Sequence, residues 1–201
     1  MIHPDTAVRF INPQKGNGLV ATRFIPKGTI TWVLDRLDRE ITPAEMASYE
    51  EHYQDILMTY SFRNSCGNYI FCWDNGRYIN HSFKPNCCLT AYRLEVAIRD
   101  IAEGEELTDD YGYLNIIAPF AVTEEQAERQ VVYPDDLLRY AAVWDQQLAK
   151  TFPLLTSVAQ PLAKFVDAPT WQTLLRIQAG TEQMASIQTC YFRESPKNRE
   201  P

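Results

Sequence analysis

Apolar positions recur at two periods along this chain, and the change falls near residue 115. The first part alternates. Val8 and Phe10 alternate with Arg9 and Ile11, Pro13 follows, and Lys15-Gly16-Asn17-Gly18 reads as a turn. Leu19-Val20-Ala21-Thr22 resumes an extended pattern, Pro26-Lys27-Gly28 turns again, and Ile30-Thr31-Trp32-Val33-Leu34 is β-branched and aromatic, hence strand-like. Tyr60 and Phe62, the segment Asn64-Ser65-Cys66-Gly67-Asn68, then Tyr69-Ile70-Phe71-Cys72-Trp73 predict a hairpin with a five-residue loop. The cleanest alternation lies in 89–101, with Leu94, Val96 and Ile98 on one face and Arg93, Glu95 and Arg99 on the other. One helix interrupts, over 42–58. Thr42 caps it, Pro43 opens it, Glu45 completes a capping box, and Met46, Tyr49, Tyr53, Ile56 and Leu57 fall near helical spacing.

After Tyr113 the period becomes helical. Thr123-Glu124-Glu125-Gln126 is a capping-box start. Leu137, Leu138, Ala141, Trp144 and Leu148 mark an amphipathic helix entered at Pro134, and Pro153 and Pro161 interrupt. A further helix is expected from near Pro169, carrying Trp171, Leu174, Leu175, Met184 and Ile187. The polar tail, Glu194 to Pro201, is expected to fray. No internal repeat or low-complexity segment interrupts this layout.

Composition narrows the class. With 201 residues, 45% hydrophobic and 22% charged, the chain is globular rather than disordered or fibrous. No apolar run approaches the roughly 20 residues of a membrane span, and Met1-Ile2-His3-Pro4-Asp5 lacks a signal-peptide layout. A soluble, intracellular protein is expected. The formal charge of −7 argues against a broad phosphate-binding surface, so direct nucleic-acid binding is not expected; it suits a Lys-rich partner, and equally suits solubility. Five cysteines without a CxxC pair fit free, mostly buried thiols.

Two stretches carry the chemistry. The first is Arg77-Tyr78-Ile79-Asn80-His81-Ser82-Phe83-Lys84-Pro85-Asn86-Cys87; the second runs from Ala97 through Gly104-Glu105-Glu106-Leu107-Thr108-Asp109-Asp110-Tyr111-Gly112-Tyr113. A polar Asn-His-Ser in an apolar setting is costly unless its groups are used. Both stretches, in order after the Gly16-x-Gly18 loop, resemble the SET domain of protein-lysine methyltransferases over roughly residues 7–115. The resemblance implies a mostly β fold, the SET β-clip with a pseudoknot in which the Asn-His-Ser segment threads beneath the second motif. A C-terminal α-helical extension makes it α+β overall. It divides the chain into 1–115, the catalytic SET part, and 116–201, the helical extension.

The resemblance also implies a cofactor, S-adenosyl-L-methionine, leaving as S-adenosyl-L-homocysteine, and a lysine-containing protein or peptide as substrate. Tyr111 takes the catalytic tyrosine position, and Tyr60 matches a tyrosine bordering the lysine channel. Lys15, Gly16, Asn17 and Gly18 match the cofactor-contacting turn, and Asn80 and His81 match further cofactor contacts, with Tyr111 near the sulfonium. Arg77 either meets the cofactor carboxylate or makes a structural salt bridge. The chemistry suits these groups. Lysine, with a reference pKa of about 10.4, must react as the neutral amine, and a narrow apolar channel favours that form. Alignment of amine, methyl and sulfur supplies much of the rate. Tyr111 is read as an orienting group, not as a free base.

The chain also departs from the pattern. Phe83 stands where zinc-bearing members have a cysteine, and the tail holds only Cys190, so no zinc site is expected. The helical extension, through Trp171 or Tyr191-Phe192, is then the candidate to close the channel. Asp109 replaces an aromatic residue common in the family, which leaves the degree of methylation unread. A catalytically weak SET-like module that binds a basic tail or a protein partner is the competing reading, and a non-protein amine substrate stays open. Lacking a basic nuclear-localisation run, the protein is expected in the cytoplasm rather than the nucleus.

Overall fold

The computed structural model describes residues 1–122 and 128–193. In chain order the strands are β1 (Thr6–Asn12), β2 (Gly16–Ala21), β3 (Ile30–Val33) and β4 (Arg39–Ile41). Helices α1 (Pro43–Ser48) and α2 (Glu51–Tyr60) follow, then β5 (Ser61–Arg63), β6 (Tyr69–Phe71), β7 (Asn80–His81), β8 (Cys87–Leu89), β9 (Leu94–Ala97) and β10 (Thr108–Asp109). The short strands β11 (Phe120–Ala121) and β12 (Val131–Val132) precede α3 (Asp136–Ala149) and α4 (Ala168–Gln178). The fold is therefore β-rich with helices at the C-terminal end, as the hydrophobic pattern predicts.

The sheets are small. β1 pairs with β2, β4 and β5 flank β6, and β3 and β8 flank β9, all antiparallel. The expected five-residue hairpin loop, 64–68, joins β5 to β6. The exception to antiparallel pairing is β10 with β7, which sets Thr108 beside Asn80 and Asp109 beside His81. Asn86, fully buried, braces this pairing. Its Oδ1 accepts from Thr108 N at 2.8 Å and its Nδ2 donates to Glu106 O at 2.7 Å. Ser82 N donates to Asp109 O at 2.9 Å. The two motifs are thus laced together as a pseudoknot, and these hydrogen bonds are what make the burial of their polar groups tolerable.

A single apolar cluster joins the two periods of the sequence. Ile30, Trp32, Leu94 and Val96 pack with Leu137, Trp144, Leu148, Phe152, Leu174 and Ile187. Each such side chain contributes about 1.5–3 kcal/mol on full burial. Gln160 adds a polar tie: its Nε2 donates to Gly28 O at 2.7 Å and its Oε1 accepts from Ile30 N at 2.8 Å.

Three expectations need correction. The helix over 42–58 is two helices, with Tyr49 and Glu50 extended between them. Thr42 does cap the first, accepting from Glu45 N at 3.1 Å. The Glu45 carboxylate, however, is taken by Arg39 and the Tyr49 hydroxyl rather than reaching back. Gln54 Nε2 donates to the Tyr49 carbonyl freed at the break, and the new helix axis lets Leu57 join Ile41 and Met46. Secondly, α4 ends at Gln178, because Gly180 adopts φ +70° and Thr181 N turns back to Arg176 O. Met184 and Ile187 lie beyond it, Ile187 in a separate 3₁₀ turn. Thirdly, the alternating stretch 89–101 holds a shorter strand, Leu94–Ala97, with Arg93 in the turn before it at φ +58°. β9 is the central strand of its sheet and all four of its residues are buried. The expected helix start at Thr123–Gln126 and the tail from Glu194 lie outside the described residues.

Candidate active site

Tyr111 begins a 3₁₀ turn that Asp110 caps, its Oδ1 accepting from Gly112 N at 2.9 Å. The β7 segment holds Tyr111 at both ends. Its amide donates to His81 Nδ1 at 3.1 Å, and its hydroxyl donates to Ile79 O at 2.7 Å. Burial, together with the carboxyls of Asp109, Glu106 and Glu95, pushes the phenol far above its ordinary pKa. A phenol so placed is a fixed dipole and hydrogen-bonding group, not a proton acceptor.

Tyr111 lines a cavity of about 390 Å³ with Tyr60, Arg77, Trp32, Glu95 and Asp109. Tyr60 closes α2, and its ring meets Tyr78 edge-on with centroids 5.5 Å apart. Arg77 donates to the carbonyls of Trp73 at 3.1 Å and Cys72 at 3.4 Å, and it makes no salt bridge among the described residues. The outer wall comes from the end of α2, from β5 and from Leu114–Ala118. Trp171, Tyr191 and Phe192 do not line it, so the extension reaches the cavity through Ile116, Ile117 and Ala118 instead. It braces the wall from behind. Phe192 N donates to Asn115 Oδ1 at 2.9 Å, Arg63 stacks 4.4 Å from the Phe192 ring, and Asn115 Nδ2 donates to Cys190 O at 2.8 Å.

A second group gathers on the glycine turn. Glu106 is its centre: Oε2 takes Lys15 Nζ at 2.8 Å and Oε1 takes Asn80 Nδ2 at 2.7 Å. Asn80 Nδ2 also reaches Asn17 O at 3.1 Å. Gly18 packs so closely here that a Cβ would sit 2.5 Å from Glu106 and 2.6 Å from Ile11, whereas Gly16, at φ +71°, has open space beside it. The turn therefore offers backbone to a ligand on one side while it is clamped on the other. The His81 ring lies 4.4 Å from Phe83, 5.4 Å from Tyr111 and 5.6 Å from Phe120. Tyr60, Arg77 and Tyr111 are thus brought to one cavity, and Lys15, Gly16, Asn17, Gly18 and Asn80 to one turn. The contacts of Tyr111 with Ile79 and His81 connect the two.

Sequence reading gave no role to Glu95 or Glu106. Glu106 carried a signal only as one letter of a motif, and Glu95 carried the wrong one, a polar position on an alternating strand. Glu95 and Asp109 form a buried carboxyl pair. Burial raises the Asp109 pKa to about 6, against the pull of the Tyr113 hydroxyl at 2.8 Å. Glu95 is also raised well above its ordinary value, by burial and by the Asp109 charge. A raised folded-state pKa stabilises the fold at low pH. That contribution is complete below the ordinary Asp value of 3.8 and is lost as pH rises through about 6. The stability of the native protein relative to Asp109→Asn is therefore expected to fall by roughly 2 kcal/mol between pH 4 and pH 7. Urea titrations of both proteins across that range measure it; a constant difference would mean that Asp109 is not the raised group.

Cys87 and Cys88 are buried thiols whose pKa burial pushes well up. Among the described residues no group of three or more His, Cys, Asp or Glu side chains is placed to hold a metal ion, and no helix is long and apolar enough to cross a membrane.

Residues 16–112 match the family model of the SET domain. The chain is 32% identical over 139 residues to a histone-lysine N-methyltransferase, H3 lysine-9 specific, of Schizosaccharomyces pombe, covering 60% of this chain and 28% of that protein. It is 32% identical over 114 residues to the H3 lysine-36 specific enzyme of the same yeast, covering 51% and 14%. A third relative, the H3 lysine-4 specific enzyme of Chaetomium globosum, is 32% identical over 108 residues, covering 48% and 10%. The chain thus spans less than a third of the length of each of these relatives.

Proposed function

Because residues 16–112 are a SET domain, we propose that this chain is a protein-lysine N-methyltransferase that uses S-adenosyl-L-methionine. The observation that carries the reading is the position of Tyr111, fixed by Ile79 and His81 between an aromatic-walled cavity and an open glycine turn. The turn fits such a cofactor: Gly16 leaves backbone accessible, and Asn80 and Lys15 are already oriented by Glu106. Lys15–Gly18, Asn80 and His81 would hold it. When bound it supplies an electrophilic methyl on a sulfonium.

The chain does the rest. The cavity, walled by Trp32, Tyr60 and Tyr111, strips water from the lysine side chain and favours its neutral form. The rigid Tyr111 hydroxyl and the Ile79 carbonyl orient the amine toward the turn and accept weak CH···O contacts. Histone-like basic tails are the proposed substrates, by similarity to the relatives' names, and the proposed setting is the cytoplasm. The acidic floor of the cavity supports a second reading, a SET-like module that binds a basic tail without turnover.

Calorimetric titration with S-adenosyl-L-methionine separates the two. One molecule bound per chain is expected, followed by label transfer from methyl-labelled cofactor to a Lys-rich peptide. A folded protein that binds the peptide but not the cofactor would establish the binding module instead.

A further inference from the structure

Two carboxyl groups line the cavity and have no part in the reaction as described. Glu95 is 5% exposed and Asp109 3%. They come from strands of different sheets, β9 and β10, and no described residue places a donor on Glu95 Oε2. Asp109 Oδ1 accepts from Tyr113 at 2.8 Å, Glu95 hydrogen-bonds the same carboxyl, and Asp109 lines the cavity. Buried acceptors in an aromatic-walled space are costly unless a cation or a donor completes them. The other ionisable groups facing Asp109 do not supply that cation. Tyr111 and Tyr113 in the following turn and Cys87 and Cys88 on β8 are held protonated and neutral by burial. The Asp110 carboxylate is paired with Arg129, and the His81 ring, on β7, turns its Nδ1 to the Tyr111 amide as an acceptor. Arg63 and Arg77 line the cavity, yet Arg63 stacks on Phe192 and Arg77 binds backbone carbonyls.

We propose that Asp109, held in place by Glu95 and Tyr113, accepts the proton from the ammonium of the incoming lysine, a role that rests on the methyltransferase reading. An Nζ–H bond breaks and an Asp109 O–H bond forms, and the nitrogen keeps the electron pair. That pair then forms the N–C bond to the methyl of the sulfonium donor while the C–S bond breaks, its electrons remaining on sulfur. The product leaves as a methylammonium, and Asp109 returns its proton to water through the open cavity. A carboxyl pushed up to about 6 is ionised at neutral pH and still basic enough to take part in such a transfer.

The test is a pH–rate profile with a lysine peptide, paired with carboxyl ¹³C NMR. In the native enzyme kcat/KM is expected to rise through an acid limb near pH 6. Asp109→Asn removes that limb and lowers the rate at pH 7 on the order of 10²-fold, and the rate then climbs with hydroxide. Glu95→Gln exchanges one neutral donor to Asp109 for another, so the limb stays near pH 6. With ¹³C-labelled aspartate, the one carboxyl signal missing from Asp109→Asn should shift to its protonated position when a lysine peptide binds, and not when a norleucine peptide binds. An unchanged acid limb in Asp109→Asn, or a carboxyl that stays ionised beside bound lysine, overturns the proposal. If no amine is methylated even by the native protein, the methyltransferase reading fails separately, and the NMR result still decides what Asp109 does.

Discussion

Tyr111→Phe is expected to lower methyl transfer about 10²–10³-fold, the loss typical when one preorganised hydrogen-bonding group is removed from a reacting centre. The ring of Phe fills the same space, so the tilted contact with His81 and the edge contact with Phe120 persist. The amide bond from residue 111 to His81 Nδ1 also survives, because it is main chain. What disappears is the hydroxyl on Ile79 O. The stability cost of that single bond is about 1 kcal/mol, too small to unfold the protein, so lost turnover cannot be ascribed to lost structure. Cofactor affinity should be nearly unchanged, since Lys15, Asn80 and Glu106 form a separate network. Initial rates with labelled cofactor, with a thermal melt of each protein, measure both quantities. A variant with native turnover would remove Tyr111 from the mechanism.

The largest stability effect is expected at Arg129. Its guanidinium joins two carboxylates, Asp110 and Asp136, with exposures of 3% and 0% at the side chain. The same group lies 4.8 Å from the Phe83 ring and 4.3 Å from the Tyr140 ring. Asp110 caps the turn that carries Tyr111, and Asp136 opens α3, so Arg129 ties the helical extension to the reacting centre. Removing one member of a buried ion network leaves the others charged without compensation. Arg129→Ala is accordingly expected to cost about 3–5 kcal/mol in urea denaturation, a large share of the stability of a domain this size. Adding Asp136→Asn should recover part of the loss, because one stranded charge is gone. If Arg129→Ala melts within a degree of the native protein, the network is not what joins the two parts.

Much of the candidate site could be read without coordinates because its parts are local. A glycine turn, an Asn-His-Ser segment and an Asp-Tyr-Gly turn each need particular residues at fixed spacing, and spacing is visible in a sequence. Glu106 was visible only as part of such a run, although it holds Lys15 and Asn80 together. Arg77 lay outside this logic: a guanidinium is satisfied equally by a carboxylate or by carbonyls, and the carbonyls of Cys72 and Trp73 happen to come within reach. The break at Tyr49–Glu50 escaped for a similar reason. Apolar spacing across it stays nearly helical, and the restart is set by how Leu57 meets Ile41 and Met46.

What the order of residues determined is the β-rich layout, the hairpins, the cap at Thr42, and the two motifs that the pseudoknot laces together. These depend on neighbours a few positions apart, through backbone preference and side-chain period. What required the folded molecule is the environment of each charged group. Glu95 alternates like a surface residue, yet strands flank β9 on both sides and the cavity lies over it. Trp171 and Phe192 looked suited to closing a channel, yet the cavity wall is built from α2, β5 and Leu114–Ala118. Burial, and the pKa shifts that follow from it, are properties of segments far apart in the chain packing against one another, and no local pattern records them.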